Sequence, residues 1–185
     1  MPNGESPKNV EYATLGGGCF WCTEAVFMRL NGVIEAIPGY SGGEGENPTY
    51  DQVSTGETGY AEVTQVVFDP NIITYRKLLD IFFSSHDPTT LNQQGADIGT
   101  QYRSIVFYHT DEQKTIAGAV IRELEEKKVH PRPIVTKLDP FKIFYPAEQY
   151  HKNYYANHKL QPYSIFVIAP KISKLEKQHG EMLRK

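Results

Sequence analysis

The clearest pattern of apolar and polar positions lies in YAEVTQVVFDP, residues 60–70 of the 185-residue chain. Alternation with a period of two divides these residues between the faces of a strand. One face carries Tyr60, Glu62, Thr64, Val66 and Phe68, and the other carries Ala61, Val63, Gln65 and Val67. Both faces are largely apolar, which predicts an inner strand of a sheet, ending at the Asp-Pro pair.

Other segments predict further strands and helices. Strand-like segments are YATLGG, VIEAIPGYSGG and RSIVFYH, and PIVTKLDPFKIFYP is predicted to be a strand or the edge of a hairpin. One helix is predicted from about Cys19 or Cys22 to the stop signal Asn31-Gly32, and a second is capped by Thr74. TDEQKTIAGAVIRELEEKK predicts an amphipathic helix and AEQYHKNYYANHK a short one. Strands and helices alternate without the regular order of a βαβ array, which predicts an α+β sandwich, a mixed sheet covered by helices.

Length and charge indicate one domain spanning residues 1–185, with a polar N-terminal segment over about 1–10 and a charged, peripheral tail over about 171–185. The net charge of −3 does not indicate the basic surface that proteins use to bind nucleic acid. The chain has no apolar run long enough for a membrane span and no apolar signal core near its start. We therefore expect a cytoplasmic protein, with no membrane or nucleic-acid partner, working as a monomer.

Both cysteines lie in LGGGCFWCTEAVF, residues 15–27, where glycines lead into the first predicted helix. A lone C-x-x-C indicates redox or metal chemistry rather than a disulfide scaffold. A helix N-terminus favours a thiolate and can lower the cysteine pKa from about 8.5, so Cys19 is the expected nucleophile. Cys22, three residues on, is near enough to be a resolving thiol. Phe20 and Trp21 are expected to line an apolar pocket beside the sulfur.

Other uses of this motif stay open. Buried cysteines can be inert small hydrophobic groups. Zinc is a weak alternative because the chain has no second ligand pair with suitable spacing. A general thiol-disulfide oxidoreductase using CFWC is a further alternative, which would place unusually large groups between the thiols.

The residues that could assist a thiol each fit two roles by their sequence patterns. On an inner strand Glu62 would sit in a dry setting with a raised pKa, suited to donating a proton, whereas an edge position would expose it to water. Tyr50 and Tyr102 each lie in or at the end of a long polar loop, where tyrosine is either a packing anchor or a hydroxyl donor. Asp97 is equally compatible with a turn. Long polar loops in compact domains are commonly functional.

Five ordered blocks together resemble the A-type peptide methionine sulfoxide reductase family: GCFWCTE, GYSGG, NPTYDQVSTGETGYAEVTQVVFDP, HDPTTLNQQGADIGTQYRS and FYPAEQYHKNYY. They cover most of residues 12–155. The resemblance implies a two-layer α+β sandwich with a ferredoxin-like core, and reduction of the S epimer of methionine sulfoxide, both free and in oxidised proteins. It implies no metal or organic cofactor, and thioredoxin or another thiol as the reductant.

The resemblance also implies roles for individual residues. Cys19 matches the family's nucleophile and Glu62 the acid that protonates the sulfoxide oxygen. Tyr50 and Tyr102 match its hydroxyl donors, and the remaining substrate-site positions are Phe20, Trp21 and Asp97. Many relatives recycle through cysteines near the C-terminus, but this chain has none after Cys22. Recycling must use Cys22 or an external thiol, and proximity favours Cys22, with an inert buried thiol as the alternative.

Overall fold

A computed structural model describes residues 9–185, so the predicted polar segment at 1–10 lies mostly outside the described residues. In this part of the chain there are eight strands: β1 Glu11–Gly16, β2 Val33–Ser41, β3 Ala61–Phe68, β4 Gln93–Gln94, β5 Asp97–Ile98, β6 Ile105–Tyr108, β7 Lys137–Pro140 and β8 Phe144–Pro146. The same residues form six α-helices: α1 Phe20–Phe27, α2 Tyr50–Ser54, α3 Tyr75–Ser85, α4 Asp111–Glu126, α5 Tyr154–Asn157 and α6 Ala169–His179.

The central sheet has six strands in the order β7-β6-β1-β3-β2-β8. Neighbouring strands are antiparallel except for β6 and β7, which are parallel, so the sheet is mixed as predicted. β3 lies between β1 and β2, which confirms the prediction of an inner strand. Its burial follows from the pattern at residues 60–70, since both of its faces are covered.

Helices cover one face of this sheet. On that face Ala13 and Leu15 of β1 and Val66 and Phe68 of β3 join the largest apolar cluster, with the buried side of α3 packed on it. The apolar cluster on the opposite face is smaller. It consists of Ala61, Val63, Ile105 and Phe107, which are covered by Phe141 and Phe144. The α+β sandwich predicted from the sequence is therefore confirmed at the level of a mixed sheet with helices packed on it.

The main helices begin where the sequence predicts. The hydroxyl of Thr74 accepts a hydrogen bond from the Lys77 N–H and so caps α3. Thr110 caps α4 in the same way, by accepting from the Gln113 N–H. These caps satisfy N–H groups that a helix leaves unpaired in its first turn.

Three predictions of local structure are corrected by the structure. Residues 133–146 are not a hairpin, because β7 and β8 lie at opposite edges of the sheet. The tail is not peripheral: Ile172 and Leu175 of α6 are buried, and Leu183 forms a β-bridge with Leu30. The two long polar loops also contain short elements, α2 in the first and the β4–β5 hairpin in the second.

None of the helices in residues 9–185 is long and apolar enough to span a membrane.

Candidate active site

The site is built around the turn from β1 into α1. Gly18 has a φ of +94°, a conformation that favours glycine, and it brings the chain to Cys19 at the N-cap of the helix. Cys22 lies in the first turn, where its N–H donates to the Cys19 carbonyl at 3.1 Å. Both cysteines are free thiols, and their exposed fractions are only 8% and 4%.

Burial rather than the helix N-terminus sets the pKa of Cys19. Removal from water raises this pKa well above its ordinary value, and the neighbouring Glu62 and Cys22 raise it further. The Trp21 backbone N–H and the neighbouring Tyr163 hydroxyl lower this pKa, but their effects are smaller. The lowered pKa expected from the sequence is therefore wrong for the resting site, in which Cys19 is a thiol.

Glu62 projects from the inner strand β3 toward the same turn. Its side chain is 2% exposed, and Oε2 accepts a hydrogen bond from the Phe20 N–H at 3.1 Å. Burial raises its pKa to about 8, while the Phe20 hydrogen bond lowers it and Asp97 raises it. The prediction of a carboxyl group in a dry setting is confirmed, and this group is largely a neutral acid at pH 7.

Tyr50 and Tyr102 come to this site from separate loops. Tyr50 opens α2, where its N–H donates to Glu148 Oε1 at 3.3 Å, and Tyr102 closes a 3₁₀ turn at Thr100–Tyr102. Burial raises the pKa of both phenols, and Glu62 and Cys19 are the next largest causes for each. The two hydroxyl groups therefore share the surroundings of the carboxyl and the thiol and remain protonated donors.

The two aromatic residues after Cys19 have different surroundings. Phe20 is fully buried, with its ring centroid 5.7 Å from that of Tyr40 and 5.0 Å from that of His151. Trp21 is partly exposed and stacks on Tyr154, with centroids 3.6 Å apart and ring planes at 5°. Its indole N–H donates to His151 Nδ1 at 3.0 Å, so the indole is held from two directions.

Tyr163 connects Asp97 with the cysteines. Its hydroxyl donates to Asp97 Oδ2 at 2.7 Å and lies 3.7 Å from the Cys22 sulfur. Asp97 therefore belongs to the site, although it is also the first residue of a two-residue strand. Sequence reasoning missed Tyr163, because KLQPYSIFV carries no motif and only the fold brings it back over α1.

Glu24 and His151 were also missed. Glu24 is buried on α1, and its Oε1 accepts from the Asn153 N–H at 2.7 Å. Burial raises the pKa of Glu24 to about 7, and hydrogen bonds from the backbone at Asn153 and Tyr154 oppose this. The position of Glu24 within GCFWCTE was the one available signal. The bond ties α1 to the segment that carries His151 and Tyr154.

Within residues 9–185, no group of three or more His, Cys, Asp or Glu side chains is arranged to hold a metal ion. What the site assembles is a thiol, a neutral carboxylic acid and two phenols around the start of α1. Such a set can attack a weak electrophile while donating hydrogen bonds and a proton to its leaving oxygen.

Comparisons with known proteins agree with these features. A family model described as peptide methionine sulfoxide reductase matches residues 11–183. The chain is similar to "Peptide methionine sulfoxide reductase MsrA" of Saccharolobus solfataricus, with 57% identity over 168 residues that cover 91% of this chain and 94% of the relative.

Solved structures of Mxr1 from Saccharomyces cerevisiae are also similar to it. The reduced form gives a TM-score of 0.77 at 37% identity, covering 85% of this chain and 91% of that chain. Mxr1 in complex with Trx2 gives a TM-score of 0.55 at 30% identity, covering 83% and 90% respectively.

Proposed function

This chain belongs to the peptide methionine sulfoxide reductase family, and on that premise we propose how its residues carry out the reduction. The enzyme reduces methionine sulfoxide to methionine. In our proposal Cys19 attacks the sulfoxide sulfur while Glu62 gives a proton to the oxygen. The observation that carries this assignment is the buried Glu62 carboxyl, bonded to the Phe20 N–H beside Cys19, with its pKa raised to about 8.

Glu62 supplies the acid that activates the sulfoxide. A sulfoxide is a poor electrophile until its oxygen is protonated or strongly hydrogen-bonded. A neutral carboxylic acid next to the thiol supplies that proton, and help of this kind is worth about 10²–10⁴ in rate. The Cys19 thiol proton replaces the one that Glu62 gives up, so sulfoxide and thiol become methionine and a Cys19 sulfenic acid.

The other residues hold the substrate. Tyr50 and Tyr102 donate hydrogen bonds to the sulfoxide oxygen, and Trp21, supported by Phe20, contacts the methyl group. Asp97 completes the substrate side of the site through its bond with Tyr163. Fixing the oxygen and the methyl group on different sides distinguishes the two configurations at sulfur. We propose the S epimer as the substrate, both free and in oxidised proteins.

Recycling of the sulfenic acid uses Cys22 in this proposal. The Cys22 thiol attacks the Cys19 sulfur, an S–S bond forms, the S–O bond breaks and water leaves. Support comes from the position of Cys22, one helical turn from Cys19 with its N–H on the Cys19 carbonyl. Thioredoxin then reduces the disulfide, in line with the similar yeast protein Mxr1, whose structure includes Trx2. The alternatives are direct attack by an external thiol and an inert Cys22.

We further propose that the enzyme is a cytoplasmic monomer without metal or organic cofactor. The two free thiols suit a reducing compartment. Two protein thiols and an external dithiol are enough to complete the catalytic cycle, which supports the absence of a cofactor. All the proposed groups come from one chain, which supports a monomer. For the core we propose the ferredoxin-like description. The strand order β6-β1-β3-β2, with α1 and α3 as the crossing helices, supports it.

A single turnover without reductant tests the proposed function. Reduced protein is mixed with excess methionine-S-sulfoxide, and released methionine and the intact protein mass are both measured. We expect one methionine per chain with a loss of two hydrogens, and no methionine from Cys19→Ser or with the R epimer. Release by Cys19→Ser would contradict the role of Cys19. A gain of one oxygen in the wild type would remove Cys22 from the recycling step.

A further inference from the structure

Tyr163 stands between Asp97 and the thiol that is proposed to resolve the sulfenic acid. We propose that Tyr163, held by Asp97, is a catalytic residue of the recycling step and takes the proton from Cys22 as its sulfur attacks Cys19. This inference rests on the proposed role of Cys22 and adds the group that makes this thiol reactive.

The direction of the hydrogen bonds supports this role. A tyrosine hydroxyl carries a single hydrogen, and that of Tyr163 is directed at Asp97 Oδ2, 2.7 Å away. With its hydrogen on Asp97, the hydroxyl offers a lone pair to the Cys22 S–H, 3.7 Å away, in a contact where either atom can be the donor. The geometry forms a continuous path from thiol to phenol to carboxylate.

Cys22 needs such a base. Burial raises its pKa to about 11, while Lys171 and the Tyr163 hydroxyl lower it. Asp97 and Glu62, which raise the Cys22 pKa, make formation of a free thiolate still less favourable. Because the thiolate is the nucleophile in disulfide exchange, a buried thiol with this pKa reacts slowly unless its proton is removed during attack.

The phenol is fixed by its packing as well as by Asp97. Its ring meets Trp21 edge-on, with centroids 5.6 Å apart and planes at 81°. Tyr163 also directly precedes a π-helical turn at Ser164–Ile168, in which Ser164 and Ile168 are buried. This turn leads into α6, so the packed tail holds the tyrosine against the cysteines.

The step is balanced within the site. The Cys22 S–H proton moves to the Tyr163 oxygen as the phenol proton moves to Asp97. The Cys22 sulfur forms a bond with the Cys19 sulfur, whose S–O bond breaks. The proton that Tyr163 has received passes to the departing oxygen, which leaves as water, and Asp97 then returns its proton to the phenol, so that the Tyr163–Asp97 pair is restored. Cys22 is oxidised and Cys19 is reduced from the sulfenic state, with no outside electron donor.

The test follows both half-reactions in Tyr163→Phe, which keeps the ring and its contact with Trp21. In one turnover of the reduced protein, released methionine reports the first step. Intact mass and trapping with dimedone report the sulfenic acid and its conversion to the disulfide. We expect disulfide formation to slow by about 10²–10⁴-fold, and far more than methionine release, with the oxygen adduct accumulating. Asp97→Asn, which keeps an acceptor for the phenol, is expected to slow the same step.

A pH series separates proton transfer from a merely structural role. Without its base, disulfide formation in Tyr163→Phe should rise about tenfold per pH unit toward the Cys22 pKa, whereas the wild type should change less steeply. Tyr108→Phe, on β6 away from the cysteines, is the control for loss of a hydroxyl. Unchanged disulfide formation in Tyr163→Phe would overturn this inference. If the wild type itself stops at the oxygen adduct, the proposed role of Cys22 fails instead, and the two failures are distinct.

Discussion

The backbone N–H of Phe20 donates a hydrogen bond to Glu62 Oε2 at 3.1 Å, which joins the first residue of α1 to the inner strand β3. Because Phe20 directly follows Cys19, this bond fixes the carboxyl group beside the thiol. It also satisfies one N–H of the helix start and partly offsets the cost of burying the carboxyl. The same contact therefore serves the fold and positions the proposed acid.

Glu62→Gln should lower methionine release in a single turnover by about 10²–10⁴-fold at neutral pH. The amide can still accept from the Phe20 N–H, but it has no acidic proton for the sulfoxide oxygen. Glu35→Gln is the matched control, because Glu35 pairs with Lys152 on the surface. Equal rates for Glu62→Gln and the wild type would remove Glu62 from the first step.

The same variant should be more stable than the wild type in alkaline solution. Folding raises the Glu62 pKa from 4.5 to about 8, so the folded protein binds more protons than the unfolded chain in this interval. The contribution of Glu62 to stability is complete below about pH 4.5 and is lost as the pH rises through about 8. In urea unfolding, the free energy of unfolding of Glu62→Gln should rise relative to that of the wild type as the pH increases across this window. A difference in free energy of unfolding between the two proteins that stays constant across the pH series would contradict the raised pKa of Glu62.

Glu24→Ala should destabilise the fold by about 1–3 kcal/mol, because the backbone N–H groups of Asn153 and Tyr154 lose their hydrogen bonds to the buried Glu24 carboxyl group. Trp21 is the only tryptophan and stacks on Tyr154, so its emission should shift to the red as this support loosens. Glu24→Gln keeps an acceptor oxygen, so its stability and emission are expected to lie between those of the alanine variant and the wild type. An alanine variant with wild-type stability and emission would show that the contact does not hold the segment.

Leu175→Ala in the tail should cost about 2–5 kcal/mol, the usual range for a leucine removed from a core. Leu175 is 3% exposed and belongs to the main apolar cluster, whereas Leu160 is 89% exposed. Leu160→Ala is therefore the matched control, expected to leave urea unfolding almost unchanged. Equal urea midpoints for the two variants would show that the tail does not contribute to the core.

Features encoded locally could be predicted from the sequence. Thr74 and Thr110 mark helix starts because a cap needs only residues three positions apart. Alternation at residues 60–70 identified β3 and the burial of Glu62, since a strand with two apolar faces must be covered on both sides. The family blocks identified the surroundings of Cys19.

Features that depend on distant contacts could not be predicted. The pKa of Cys19 follows from burial and from Glu62 on another element, which outweigh the local effect of the helix N-terminus. Tyr163 meets Asp97 across 66 positions and Cys22 across 141, with no periodic pattern to link them. In the tail, the charged residues around Ile172 and Leu175 concealed a narrow apolar side that only packing reveals.

The central claim is that Glu62 acts as a neutral acid while Cys19 attacks, and the pH dependence of the first turnover tests it most directly. Methionine release by reduced wild type and by Glu62→Gln would be followed by rapid quench from about pH 6 to about pH 9.5. With the Glu62 pKa raised to about 8, the wild-type rate should be level at lower pH and fall as the pH rises through that value. The variant should be slow, without this fall. A wild-type rate that increases through pH 8, or the same fall in Glu62→Gln, would contradict the account.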